Sequence, residues 1–224
     1  MVSNKSPNDP PRRRARSLEA KAARRRAILD AALVRYEQDA ISDITMAQLG
    51  ADVGIVKGTL YVYFRTKEDL FLALAEQLLG EWFDDLDESL RGTTRLSTDQ
   101  LRRVVVGSVR SRPLLQRLLA DLGSLIEPNV PYEDALRFKW RLGARLTATG
   151  TSIERRTPFL RQGGGTRVLN LVQALIAGLH RLAEPAPVMR RILEAPGMEA
   201  LRVDFDRDFD TAVAALLAGL ERTA

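Results

Sequence analysis

Apolar residues recur three and four positions apart along almost the whole chain, and no stretch sustains the two-residue alternation of a half-buried strand. That periodicity confines the chain to an all-α fold. Ser17 stands as an N-cap ahead of a stripe formed by Ala27, Ile28, Ala31, Ala32 and Tyr36. A short helix from Met46 to Asp52 follows, then Val53-Gly54-Ile55, then a second short helix reaching Tyr63. Thr66 caps a longer connecting helix over 66–90, with Leu70, Leu74, Leu78 and Phe83 on its inward face. Further helices are expected at 98–111, 113–126, 131–155, 165–183, 187–195 and 204–222. Gly92, Pro128, Gly163 to Gly165, Pro185 and Pro196 punctuate them.

Charge divides the chain unequally. The net charge is +5 over 224 residues, and the first 65 residues carry all of it, with 12 cations against 7 anions; the remainder is neutral. An excess of this kind points to a polyanionic partner for the N-terminal third alone. Residues 1–16 contain Pro7, Pro10 and Pro11 followed by Arg12, Arg13, Arg14 and Arg16, the composition of a disordered basic arm. Such a charge run is either a solvated face or, beside a DNA-binding unit, a source of phosphate contacts or minor-groove insertion.

The segment from Thr45 to Tyr63 explains that partner. Thr45 can cap the first short helix, and Gly54 ends it where a left-handed residue is needed. Two short helices joined by a tight glycine turn form a helix-turn-helix, whose second helix enters the major groove. In that second helix Leu60 and Phe64 face inward toward Leu49. Lys57, Thr59, Tyr61 and Tyr63 are left to offer a cation, hydroxyls and aromatic bodies to phosphates and base edges. Gly58 permits close approach of the backbone.

Residues 24–71 resemble the DNA-binding domain of the tetracycline-repressor (TetR) family. The pieces that match are Ile28 to Ala32, Tyr36, Thr45, Leu49, Val53-Gly54-Ile55, Gly58-Thr59-Leu60-Tyr61, Tyr63-Phe64 and Lys67-Glu68-Asp69-Leu70. The resemblance implies that Thr59, Tyr61, Val62 and Tyr63 face the groove or its phosphates and that Lys67 contacts a phosphate. It implies a double-stranded DNA operator as partner, a homodimer, a small-molecule effector of unknown identity and no cofactor. It departs from the family where Val56 replaces a common serine, Gly50 a usual alanine and Ala40 a common glycine. The loss of the serine cap costs about 1 kcal/mol of helix stability.

The 66–224 segment is expected to be a helical ligand-binding and dimerisation domain that follows the 17–65 helix-turn-helix domain. Val168, Val172, Leu175, Leu179 and Leu182 repeat at coiled-coil spacing, and Phe205, Phe209, Val213, Leu216 and Leu220 form a second stripe. Either stripe serves a dimer interface or the protomer's own core. The helix from Tyr132 to Arg155 mixes apolar residues with Trp140, Arg141, Arg145, Thr147 and Thr149: either these polar groups orient a ligand in a cavity or the arginines face water.

No catalytic constellation is present. The chain has no cysteine and one histidine, His180, so it holds neither a thiol nucleophile nor a histidine pair for a metal. Gly163-Gly164-Gly165-Thr166 lacks the lysine of a phosphate-binding loop. The alternating Asp204, Asp206, Asp208 and Asp210 lack a calcium loop's glycine and terminal glutamate, and suit a helix N-terminus instead. Asp84, Asp85, Asp87 and Glu88 read as a solvated face. No apolar run approaches membrane-spanning length. The expectation is a cytoplasmic regulator, most simply a ligand-responsive repressor; a ligand-independent architectural DNA binder is the alternative.

Overall fold

A computed structural model describes residues 10–223, and among these there are helices and loops but no strand. The chain separates into two compact units, one ending at Leu70 and the other beginning at Phe71.

The first unit contains α1 (Pro10–Gln38), α2 (Met46–Val53), α3 (Lys57–Leu60) and the first turn of α4 (Lys67–Ser89). Helix α1 begins earlier than its capping signal suggested. Residues 10–16, expected as part of a disordered arm, form its first turns, so Arg12, Arg13, Arg14 and Arg16 lie on a helical backbone. Arginine and alanine are good helix formers, and prolines at the first helical positions are tolerated. Residues 1–9 of the expected arm lie outside the described residues. Of the stripe read from the sequence, Ile28, Ala32 and Tyr36 are buried, Ala31 is half-buried and Ala27 is exposed; Leu29 joins the buried set, and Leu49, Leu60 and Phe64 are buried in the same unit.

The second unit comprises the rest of α4 with α5 (Thr98–Arg110), α6 (Pro113–Asp121), α7 (Tyr132–Glu154), α8 (Gly164–Ala183), α9 (Pro187–Leu193) and α10 (Phe205–Arg222). A π-helical turn over Leu122–Ile126 extends α6. Helix α8 packs against α6, α7 and α10, and α5 packs against α10. The core is built on Trp82 and Phe83 of α4, Val105 and Val109 of α5, Val168, Val172 and Ile176 of α8, and Phe209 and Val213 of α10. Trp82 satisfies its indole N–H by donating to Ser108 Oγ at 2.9 Å. Arg102 of α5 bonds Asp210 of α10, tying those helices at their edges. Asp204 caps α10 by accepting from the Arg207 N–H at 2.8 Å, and Asp208 accepts from the Asp204 N–H in return. Within the aspartate run Asp204 and Asp208 form a helix cap, while Asp206 and Asp210 pair with Arg110 and Arg102 of α5.

Candidate nucleic-acid interface

The geometry of the helix-turn-helix follows from three local devices. Thr45 caps α2 reciprocally: its Oγ1 accepts from the Gln48 N–H, and the Gln48 side chain accepts from the Thr45 N–H at 2.8 Å. Its hydroxyl also donates to Gln48 Oε1 at 2.7 Å, so the cap engages this side chain fully. Gly54 then adopts φ 70°, ψ 35°, the left-handed conformation that ends α2. The returning strand of chain passes close over α2 at Gly50, where a Cβ would sit 2.8 Å from the Ile55 carbonyl oxygen. Glycine at this position is therefore a packing residue, at the cost of some helix propensity.

Helix α3 is shorter than the expected rod. Its helical part is Lys57–Leu60, and residues 61–63 continue as tight turns closed by Val62 N–H to Thr59 C=O at 3.1 Å and Tyr63 N–H to Leu60 C=O at 3.0 Å. Val56 supplies no side-chain cap, which leaves the first amide groups of α3 without a local side-chain partner. Leu60 and Phe64 are buried and lock the segment onto the unit's core. Lys57, Gly58, Thr59, Tyr61 and Val62 are exposed, and Tyr63 is half-buried. Val62, 70% exposed, is an apolar side chain with no core role, set between two tyrosines. The Lys57 ammonium sits 5.8 Å from the Tyr61 ring centroid, so cation and aromatic form one surface.

Lys67 has a further role within the unit. Its ammonium donates to the Ile41 carbonyl at 2.6 Å and lies near the Ser42 carbonyl, pinning the α1–α2 loop to the start of α4. Arg35 and Asp52 brace α1 against α2 through a two-pronged pair, with Arg35 Nη2 to Asp52 Oδ1 at 2.8 Å. The hydrogen bond from Arg35 holds the Asp52 carboxyl below the usual carboxylate range. Arg25 stacks its guanidinium 4.9 Å above Phe64, adding a cation beside the unit's core.

In the second unit a cavity of about 160 Å³ lies between α4 and α7, with Leu79, Phe83, Phe138 and Leu142 as its apolar lining. Arg141 and Arg145 stand at its rim. Arg141 pairs with Glu76 at 2.9 Å, Arg145 pairs with Asp84 at 2.8 Å, and Arg145 also lies 3.4 Å from Asp87. The five residues expected to share a pocket are thus separated, with Thr147 beside Trp140 along an open groove on the other side of α7. Arg141 and Arg145 reach the cavity, Thr149 is buried and donates to Asp87 Oδ2 at 3.1 Å, and Trp140 points to the opposite face with 71% exposure. The turn of the helix explains the split: Trp140 and Arg141 are neighbours in sequence, about 100° apart on α7. The acidic run of α4 is likewise no uniform solvated face. Asp84 and Asp87 meet Arg145, and Asp85 meets Arg112.

Burial divides the two apolar stripes between the two alternatives. Val168, Val172, Phe209 and Val213 are fully buried inside the protomer and belong to its core; Leu175, Leu179, Phe205 and Leu216 are half-buried at its edge. A period that fits a coiled-coil seam also fits a core face, and burial decides between them. The outward side of α8 carries Leu171 and Leu182, at 37% and 58% exposure, with Gly178 between them. Among the described residues no group of histidines, cysteines or carboxylates is arranged to hold a metal, and no helix is long and apolar enough to cross a membrane.

A capped helix, a left-handed glycine turn and a second helix whose exposed side presents Lys57, Thr59 and Tyr61 make a helix-turn-helix, the unit whose second helix enters a DNA major groove. Residues 28–74 match the bacterial regulatory proteins of the tetR family, and residues 76–224 match the tetracyclin repressor-like C-terminal domain. The chain belongs to the tetR family. It is 25% identical over 64 residues to the fatty acid metabolism regulator protein of Bacillus subtilis (strain 168), covering 29% of this chain and 33% of that one. It is 28% identical over 97 residues to the HTH-type transcriptional regulator BetI of Brucella anthropi, covering 43% of this chain and 50% of that one. The chain thus spans a third to a half of the length of these curated relatives. The fold is similar to that of the fatty acid degradation regulator FadR from Bacillus halodurans, with TM-score 0.56 and 18% identity over 88% of this chain and 95% of that one.

Proposed function

We propose that the protein is a ligand-responsive repressor that binds a palindromic operator as a homodimer in the cytoplasm. The exposed set Lys57, Gly58, Thr59, Tyr61 and Val62, held outward by buried Leu60 and Phe64, carries this reading. Thr59 and Tyr61 supply hydroxyls to base edges or phosphates, Val62 an apolar contact suited to a thymine methyl, and Lys57 a phosphate contact. Tyr63 contributes its half-exposed hydroxyl. Thr45 serves by fixing α2, and Lys67 keeps donors for a phosphate beyond the one given to Ile41. The basic N-terminal segment around Arg12 to Arg16 adds charge that any phosphate backbone attracts.

Dimerisation is assigned to the outward side of α8, at Leu171 and Leu182, bordered by the half-buried Leu175 and Leu179 and by Leu216 and Phe205 at the edge of α10. A palindromic operator read in successive major grooves requires the two recognition helices to stand one duplex turn apart, roughly 34 Å. The cavity between α4 and α7 receives the effector. Its occupation changes the setting of α4, whose first turn bears Lys67 and whose third bears Glu76. An effector that favours one setting releases DNA by differential affinity alone.

Selection of fragments of the source genome on purified protein, followed by fluorescence anisotropy, tests the proposal. A two-fold symmetric site bound by two protomers and released by a compound that raises the melting temperature supports it. Tight binding without sequence preference and without any releasing compound supports the architectural alternative.

A further inference from the structure

The hollow between α4 and α7 is enclosed by two helix faces of matching register. Glu76, Leu79, Gly80 and Phe83 of α4 meet Phe138, Arg141, Leu142 and Arg145 of α7, each set at the i, i+3, i+4, i+7 spacing of one helix side. Two such faces ordinarily close on each other, since protein interiors pack densely. Here Gly80 supplies no side chain to close them. It is half-buried within α4, and among the described residues nothing beyond the helix's own backbone lies within 4 Å of the place a Cβ would take. A glycine inside a helix costs helix stability. The void of about 160 Å³ beside it is thus kept open against both packing and helix propensity.

Its size and walls select an occupant. Leu79, Phe83 and Phe138 are buried and wall it with apolar surface. An apolar cavity of about 150 Å³ takes one benzene ring, whereas pockets for larger ligands run to ~300–1,000 Å³. One aromatic ring fits; a long acyl chain does not.

The rim selects the ring's substituent. Arg141 meets both Glu76 oxygens through Nη1, at 2.9 and 3.1 Å, and Arg145 lies 5.6 Å over the Phe83 ring while pairing with Asp84 and Asp87. A cationic substituent meets two lining arginines against one lining carboxylate. An anionic substituent meets Glu76, with Asp84 and Asp87 behind Arg145 and the Asp134–Arg137 pair one turn before Phe138. Asp87 and Asp134 each keep a buried oxygen without a hydrogen-bond partner, so a further carboxylate adds to an excess of acceptors there. A hydroxyl avoids both conflicts: it donates to Glu76 and accepts from Arg141 with the ion pair intact.

We propose that this cavity is selective for a neutral phenol, its ring beside Gly80 between Phe83 and Phe138 and its hydroxyl bridging Glu76 and Arg141. Resting on the reading that the cavity receives the effector, this makes a phenol the class of effector.

Calorimetric titration and thermal melting of the full chain with phenol, benzene, benzoate, benzylammonium and octanoate test this. Phenol is expected to raise the melting temperature by about 3 °C at about ten times its Kd. It is expected to bind about tenfold more tightly than each of the others. Gly80→Leu, which fills the hollow from α4, and Leu142→Phe, which fills it from α7, are expected to stay folded and lose phenol binding. Removing the rim pair, Glu76→Leu with Arg141→Leu, is expected to abolish the preference of phenol over benzene. No binding of phenol at about 10 mM overturns the proposal. So does phenol binding undiminished in both filled variants, or equal or tighter binding of benzoate, benzylammonium or octanoate. Phenol that binds as expected without releasing operator DNA supports the proposal and counts against the effector reading alone.

Discussion

Gly150 and Gly165 bring α7 and α8 together backbone to backbone. A Cβ on Gly165 would collide with the Gly150 carbonyl, and one on Gly150 would lie 2.5 Å from the Thr166 nitrogen. The glycine run before α8 is thus a packing device as well as a helix start. Gly165→Ala is expected to destabilise the protein by about 1–3 kcal/mol, read as a lower urea midpoint. Gly107→Ala is the control: it lies exposed within α5 with no atom near its Cβ position, and should gain roughly 0.5–1 kcal/mol.

Binding and folding separate on neighbouring residues of α3. Tyr61→Ala should weaken operator binding by about 1–3 kcal/mol while leaving the melting temperature nearly unchanged. Leu60→Ala should instead cost about 2–5 kcal/mol of stability, because Leu60 is wholly buried. Lys57→Ala should weaken binding to all sequences alike and reduce the salt slope by about 1.

His180 gives stability a pH dependence. Burial holds its pKa below the ordinary value, against the opposing pull of Glu184 and Asp121, with Arg117 adding to the depression. The folded state therefore prefers the neutral ring. The contribution is fully present above the unfolded value and is lost as pH falls through the folded one. Chemical unfolding at about pH 8 and about pH 5 should show a smaller loss of stability in His180→Gln than in the wild type. An equal loss in both proteins contradicts this.

The two sides of α8 should respond differently. Val172→Ala removes a fully buried contact and should cost about 1–3 kcal/mol of stability. Leu171→Glu together with Leu182→Glu should leave the protomer folded and halve the mass at low concentration, which light scattering reads. Unchanged mass there places the dimer interface elsewhere.

Much of this was legible in the sequence because the signals were local. The capping pair Thr45 and Gln48, the left-handed Gly54 and the buried pair Leu60 and Phe64 each depend on residues within a few positions of one another. The site's outward residues followed by elimination. The cavity was not legible, since Arg141 and Arg145 meet Glu76 and Asp84 across more than sixty residues of sequence. A four-residue acidic run on α4 looks the same whether water or arginines face it. For α8 and α10, helical period identifies an apolar face but says nothing of which chain covers it, so the sequence left two alternatives open for Val168 and Val213, which lie in the protomer's own core.

Operator recognition depends on α3 presenting Lys57, Thr59 and Tyr61 to a DNA groove. Its most direct measurement is the anisotropy of a labelled symmetric site, selected from the source genome, titrated with wild-type protein and with Thr59→Ala plus Tyr61→Ala at several salt concentrations. The account predicts sequence-specific binding that the double variant loses while it still melts as a folded protein. Equal affinity of the two proteins for that site would contradict it.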